Sequence, residues 1–302
     1  MNNPGGNFLA QRFGRLLGVF LLVLVLYALL MALHPAARSV SGHQNLAQRL
    51  GFYGILTLGA GLLIVSGGID LSIGSVVGLG AVCMALLLEE GPLAGKPIAA
   101  VGVVLAGAAL IGLGHGLLVT KLGLQPFLVT LCGLFIYRGL AQWATRPPGG
   151  SARDVGIGRL RDLEGLKGLR YLAVGRTEYI EIPVILLLMF VIAGLLAVLL
   201  HMSVYGRHLA AVGANEQAAR YAGVPTERRK ILAYILCSLL AGIGGVLSML
   251  DLETASPTTT GQWLELYAIT GAVLGSMNRK QINAKRGDRT ATPVPTSPRT
   301  QR

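Results

Sequence analysis

Charge is scarce in this chain. Only 13% of its 302 residues are Asp, Glu, Lys or Arg, while 53% are hydrophobic, against about 25% charged in a soluble globular domain. A large soluble α/β core would need short Val/Ile runs separated by polar helices, whereas the apolar runs here are built from Leu, Ala and Gly. Cysteine is equally sparse. Cys83, Cys132 and Cys237 each sit inside an apolar stretch, so they read as small buried hydrophobes, not as a disulfide framework or a metal site. Reactive motifs are missing too. No Gly-x-x-x-x-Gly-Lys-Ser/Thr phosphate cradle occurs, and its nearest fragment, Gly95-Lys96, lacks the earlier glycine and the hydroxyl. There is no Gly-x-Ser-x-Gly elbow and no His-Glu-x-x-His zinc helix. The chain is expected to be non-catalytic and to bind no cofactor or metal.

What is present is a series of apolar stretches near 11–34, 51–66, 73–88, 98–120, 126–143, 180–201, 230–250 and 263–277. A helix of about 20 residues crosses a hydrocarbon layer about 30 Å thick. The expected fold is therefore all-α, a polytopic transmembrane helical bundle of about eight apolar segments. The first segment follows Arg12 and Arg15 as a signal peptide would, but His34-Pro35-Ala36-Ala37 is a poor cleavage site, so it is read as a retained anchor. Helices in lipid associate through close backbone approach, and small residues spaced four apart (Gly74 and Gly78, Gly112 and Gly116, Ala241 and Gly245) supply it.

The net charge of +12 is half concentrated in residues 277–302, with seven Lys or Arg against Asp288. The rest lies in loops beside apolar stretches, where it reads as an orientation signal and not as a nucleic-acid surface. Arg12 and Arg15 favour a cytoplasmic N-terminus for residues 1–15. Alternation then puts 66–74, 121–125 and 202–229 inside, and 34–50, 89–97, 144–179 and 251–262 outside. Arg207, Arg220, Arg228, Arg229 and Lys230 support the assignment of 202–229, whereas the basic residues of 144–179 run against theirs.

Residues 66–75, Ser-Gly-Gly-Ile-Asp-Leu-Ser-Ile-Gly-Ser, place a carboxylate at membrane depth, where it costs several kcal/mol unless it faces protein or water. Paired glycines beside it predict discontinuous helices around 66–75, of the kind whose exposed ends line a cavity. Asp70 reads either as a cap on the following helix or, with Ser72, as part of a substrate pathway. His115 reads as a structural hydrogen-bonding group, and Arg138 as a headgroup anchor. Phe127, Thr130 and Trp143 read either as further candidates to line a substrate path through stacking and hydrogen bonds or, for the aromatics, as packing and interface-belt residues. Between residues 205 and 224, Ala210, Ala214, Ala218 and Ala222 recur at helical spacing with Asn215 as a cap, which fits either a surface-lying linker or a helix that docks into a partner's groove.

Three blocks in order, Leu62-Ile-Val-Ser-Gly-Gly-Ile-Asp-Leu-Ser-Ile-Gly-Ser75, Gln125-Pro-Phe-Leu-Val-Thr-Leu131 with Arg138-Gly139, and Ala211-Val-Gly-Ala-Asn-Glu-Gln-Ala-Ala-Arg-Tyr-Ala-Gly-Val224, resemble the ribose/xylose/galactoside-type permease subunits of bacterial ABC transporters. The resemblance implies a multi-pass protein of the bacterial inner membrane that provides the path for a small-molecule sugar. It also implies a second permease subunit, a periplasmic sugar-binding protein, and a cytoplasmic ABC ATPase that binds the ATP. It makes 16–277 the permease domain and 202–229 its coupling loop, with Gly213, Asn215, Glu216, Ala219 and Gly223 as ATPase-coupling candidates. Relatives continue past the Ala268–Gly275-like segment with a glycine-rich turn and further apolar helices. Here Ser276-Met-Asn-Arg-Lys280 leads instead into Pro, Thr and Arg. The C-terminus is expected to be truncated or frameshifted relative to the family, and 278–302 to be a disordered basic tail. Two other readings are an ion-coupled secondary transporter using Asp70 and His115, and a non-transporting membrane interaction protein left by truncation.

Overall fold

The computed structural model describes residues 4–89, 91–160, 163–177 and 181–275; the expected basic tail at 278–302 lies outside the described residues. The chain is a helical bundle. Its helices are α1 (Pro4–Leu33), α2 (Val40–Val65), α3 (Ile73–Glu89), α4 (Pro97–Thr120), α5 (Pro126–Ala144), α6 (Glu164–Val174), α7 (Val184–His201), α8 (Val204–Ala214), α9 (Glu216–Tyr221) and α10 (Thr226–Leu252), followed by α11 (Leu264–Gly275). Among the described residues, α2, α4, α5, α7 and α10 are long and apolar enough to cross a membrane, and three shorter apolar helices, Phe20–Leu33, Ile73–Glu89 and Leu264–Gly275, complete the set expected from the sequence.

Pro97 and Pro126 start α4 and α5, at positions where a missing N–H leaves no helical bond unmade. Ser39 begins α2 by accepting a hydrogen bond from the Gly42 N–H at 3.0 Å.

α10 is the axis of the bundle, packed against α2, α3 and α4. The small-residue spacing produces this arrangement. A side chain at Gly112 would bring its Cβ to 2.6 Å from the Tyr234 carbonyl oxygen, and one at Gly245 to 2.7 Å from that of Val77, so backbone meets backbone at both crossings. Two apolar cores flank the middle of α10. One gathers Met84, Leu88, Val104, Ile157, Leu166 and Met249; the other gathers Leu62, Leu63, Ile73, Leu209, Ala233 and Tyr234. α1 touches α2 through Tyr27, whose hydroxyl bonds His43 at 2.7 Å, and Phe20 to Leu30 are exposed, an arrangement that lipid permits and water does not.

The connections fall into two sets. At one end Lys121 meets Glu227 at 2.6 Å, and α8 abuts the end of α2 through Gly213 and Val65. At the other end β1 (Val155–Gly156) and β2 (Thr254–Ala255) form an antiparallel ladder pairing Val155 with Ala255. There Gln44 Nε2 donates to Glu181 at 2.6 Å, Gln48 Nε2 donates to Asp251 at 2.9 Å, and Arg170 pairs with Glu253. This grouping follows the alternation read from the sequence. The ladder was not expected, since two-residue strands leave no periodicity to detect. Residues 256–265 fold back from the ladder end into the bundle. The Thr260 carbonyl lies where a Cβ on Gly78 would be 2.5 Å away, and Gly261 packs against Gly74. α11 therefore starts at depth, and its 12 residues rise only about 18 Å.

Candidate functional site

The break between α2 and α3 is built by short-range hydrogen bonds. Ser66 Oγ donates to the Leu63 carbonyl at 2.6 Å and Gly68 N–H to the same oxygen at 3.1 Å. Gly67 holds φ +83°, which a side chain would strain. After this turn, Asp70 Oδ1 accepts from Ser72 N–H at 2.7 Å and from Ser72 Oγ at 2.6 Å, while Ser75 Oγ donates to the Ser72 carbonyl at 2.8 Å. Asp70 thus closes an Asx turn that starts α3.

Its other oxygen faces two helices. Asp70 Oδ2 stands 3.9 Å from His115 Nδ1 of α4 and 4.0 Å from Cys237 Sγ of α10. His115 Nε2 is bonded to the Tyr137 hydroxyl of α5 at 2.9 Å. The His115 ring lies 5.6 Å from that of Tyr137 and 6.3 Å from that of Tyr234. Asp70 and His115 are both 2% exposed, and a buried polar group of this kind is held by the partners packed around it. His115 Nδ1, the Tyr234 hydroxyl and the Ser238 hydroxyl are buried with no hydrogen-bond partner among the described residues. The knot fastens the helix break to α4, α5 and α10. Among the described residues, no three His, Cys, Asp or Glu gather closely enough to hold a metal ion.

Of the pathway candidates, Asp70 and Ser72 meet in this knot, whereas Phe127 and Thr130 do not join it through any hydrogen bond. Phe127 is 56% exposed on the outside of α5, and Thr130, fully buried, donates to the Pro126 carbonyl at 3.0 Å. Trp143 also faces outward. Arg138 reaches the Thr258 carbonyl at 2.8 Å, so its guanidinium holds the re-entrant segment. Spacing along α4 gave His115 no acidic neighbour; its partner comes from a segment 45 positions away, a proximity that no local pattern encodes.

The second candidate region is α8 and α9. Ser203 Oγ accepts from the Gly206 N–H and Asn215 Oδ1 from the Ala218 N–H, so each helix has its own cap. Glu216 pairs with Lys230, tying α9 to α10. Ala219 is buried, and Gly223 ends the segment at φ +80°. Gly213 matters most, because a Cβ there would collide with the Val65 carbonyl oxygen. The end of α8 therefore touches the last residue of α2, five positions before Asp70. Tyr205 packs beneath, donating to the Arg229 carbonyl at 3.2 Å, and burial pushes its phenol pKa up. The candidates Gly213, Asn215, Glu216 and Ala219 thus form the inner face and joints of this unit. The outward face carries Ala210, Ala214, Ala218 and Ala222 with Tyr221 at 91% exposure. Tyr221 was not singled out from the sequence, although its place one position before Ala222 puts it at the edge of the alanine stripe.

Residues 42–286 match the family described as branched-chain amino acid transport system, permease component. The chain is 31% identical to a ribose import permease protein of Bacillus subtilis, covering 88% of this chain and 76% of that one. It is 34% identical to the ribose import permease protein of Escherichia coli K12, covering 84% and 74%. It is 33% identical to a galactofuranose transporter permease protein of the same strain, covering 73% and 60%. No solved structure matches.

Proposed function

The chain belongs to the branched-chain amino acid transport system permease component family, and from that premise we propose that it is the membrane-spanning subunit of an ATP-driven importer of a monosaccharide. The names of its relatives, which cite ribose and galactofuranose, support a sugar as cargo. The segments 16–277 form the permease body and 202–229 faces the cytoplasm, with the chain in a bacterial inner membrane. ATP is hydrolysed on a separate ATPase subunit, and a second permease subunit and a periplasmic sugar-binding protein complete the assembly.

One observation carries the mechanism: the direct backbone contact of Gly213 with Val65. A partner seated on the alanine and Tyr221 face pushes a short, double-capped unit whose far end rests on the α2 terminus. With no flexible side chain between them, displacement passes to the 66–72 turn, which Asp70 binds to α3 and sets against α4 and α10. The chemistry is non-covalent throughout. Closure of the ATPase moves this hinge as a rigid body and changes which end of the bundle is open.

The test is association and uptake in vesicles holding this chain, its ATPase and its binding protein. Ala218→Glu puts a charge on the outward face without touching the bundle, and is expected to abolish ATPase association and uptake while leaving the melting temperature of the chain unchanged. Undiminished association in that variant sinks the docking assignment. The 3.9 Å approach of Asp70 to His115 favours one second reading, an ion-coupled carrier. Uptake that follows an ion gradient in vesicles without ATPase would establish it in place of the first.

A further inference from the structure

A cavity of about 540 Å³ opens at the ladder end of the bundle, between the first turns of α2, the stretch after α6 and the end of α10. It lies far from the Asp70 knot and shares no residue with it. Its volume falls within the roughly 300–1,000 Å³ of small-molecule sites. Its polar lining includes Asn45, Gln48, Arg49, Tyr53, Arg176 and Asp251.

The chemistry of this lining selects a class of ligand. Gln48 Nε2 donates to Asp251 Oδ1 at 2.9 Å, which leaves the second Asp251 oxygen and the Gln48 carbonyl oxygen able to accept. Asn45 and the two arginines supply donors, and neither Asn45 nor the Arg176 guanidinium bonds another described side chain. An anion would want donors alone and is repelled by Asp251. A cation is repelled by Arg49 and Arg176. A hydroxyl both donates and accepts, so a mixed set of this kind suits a neutral polyhydroxylated molecule. Aromatic surface is present as well: Tyr53 lies 5.6 Å from Phe52, which also lines the cavity, and 5.3 Å from Tyr267 of α11. Rings of this kind take the C–H face of a sugar while planar amides and guanidinium groups take its edge.

We propose that this cavity is a monosaccharide-binding subsite at the outer mouth of the bundle, where cargo rests between its release by the binding protein and its entry to the path. The proposal rests on the importer reading for the identity and direction of the cargo. The subsite is half-open, as a site that must release its ligand needs to be.

Equilibrium binding of radiolabelled D-ribose, D-galactose and D-fructose to the purified full chain in lipid nanodiscs, without binding protein, tests it directly. At least one sugar is expected to bind at millimolar concentration, with no competition from inorganic phosphate or choline. Asn45→Ala and Arg176→Ala remove groups with no structural partner among the described residues, so each is expected to keep the wild-type melt and weaken binding about tenfold, the effect of one lost hydrogen bond to ligand. Binding of none of the three sugars overturns the subsite. So does a normal affinity in the double variant, or displacement by phosphate. Uptake in vesicles with the ATPase and binding protein separates the two readings: sugar binding without uptake sinks the importer and leaves the subsite standing, whereas uptake without direct binding sinks the subsite alone.

Discussion

α7 and α10 are both apolar helices long enough to span a bilayer, yet they occupy opposite places in the bundle. α7, a run of Val, Ile, Leu, Met and Phe, is the more apolar, and only 11% of its apolar window is buried; α10 carries Gly242, Gly244, Gly245, Cys237 and two serines, and 61% of its window is buried. In water the greasier helix would be the central one. In lipid the order reverses, because a leucine gains nothing by leaving hydrocarbon, while a glycine lets two backbones meet and a polar group needs a partner. Hydrophobicity here marks the perimeter, and small or polar residues mark the axis.

Substitutions that set the two helices against each other test this directly. The largest effect is expected at the α4–α10 crossing. Gly112→Leu has no room beside the Tyr234 backbone and should destabilise by about 3 kcal/mol, the upper range of overpacking, seen as a lowered unfolding midpoint in detergent or loss of folded protein. Asp70→Ala comes next. It removes the acceptor holding the Ser72 N–H and hydroxyl and leaves His115 facing no carboxylate, for a loss of about 2 kcal/mol. Rescue by Asp70→Asn would show that the turn and not the charge matters. Tyr137→Phe deletes the 2.9 Å bond to His115 and should cost about 0.6 kcal/mol, the average for a hydrogen bond between membrane helices. The smallest effect belongs to α7. Gly194 has open space where a Cβ would stand, and Gly194→Leu is expected to stay within about 0.5 kcal/mol of wild type. A loss at Gly194 as large as that at Gly112 would break the contrast and would mean that α7 is covered by a second subunit and not by lipid.

Much of this fold was legible in the chain. The eight apolar segments, the break at 66–75 and the alternation of connections all follow from local pattern, since a bilayer imposes one length and one polarity on every crossing. The small-residue pairs located the helix contacts but did not name the partners. Gly74 and Gly78 meet the re-entrant 260–261 backbone, whereas Gly112 and Gly116 meet α10, and the spacing is the same in both cases. Arg138 illustrates the limit on side chains. Its length fitted a headgroup anchor, and the fold gave it the Thr258 carbonyl instead.

The α8–α9 unit shows the same division. Capping residues and alanine spacing disclosed two short helices and an apolar stripe, because those signals lie within one helical turn. Which residues look outward was set by packing against α2 and α10, so four of the candidates, Gly213, Asn215, Glu216 and Ala219, serve as joints while Tyr221 stands exposed.

By itself the sequence determined that the protein lives in lipid, which of its described segments form apolar helices and where one of them breaks, because hydropathy, glycine and helix caps act over a few residues. Tertiary structure alone decided that Asp70 faces His115 and Cys237, that Gly213 lies on Val65, and that the cavity at the ladder end gathers Asn45, Arg176 and Asp251. Each of these meetings joins positions tens to hundreds of residues apart, and only the packing of whole helices brings such positions together.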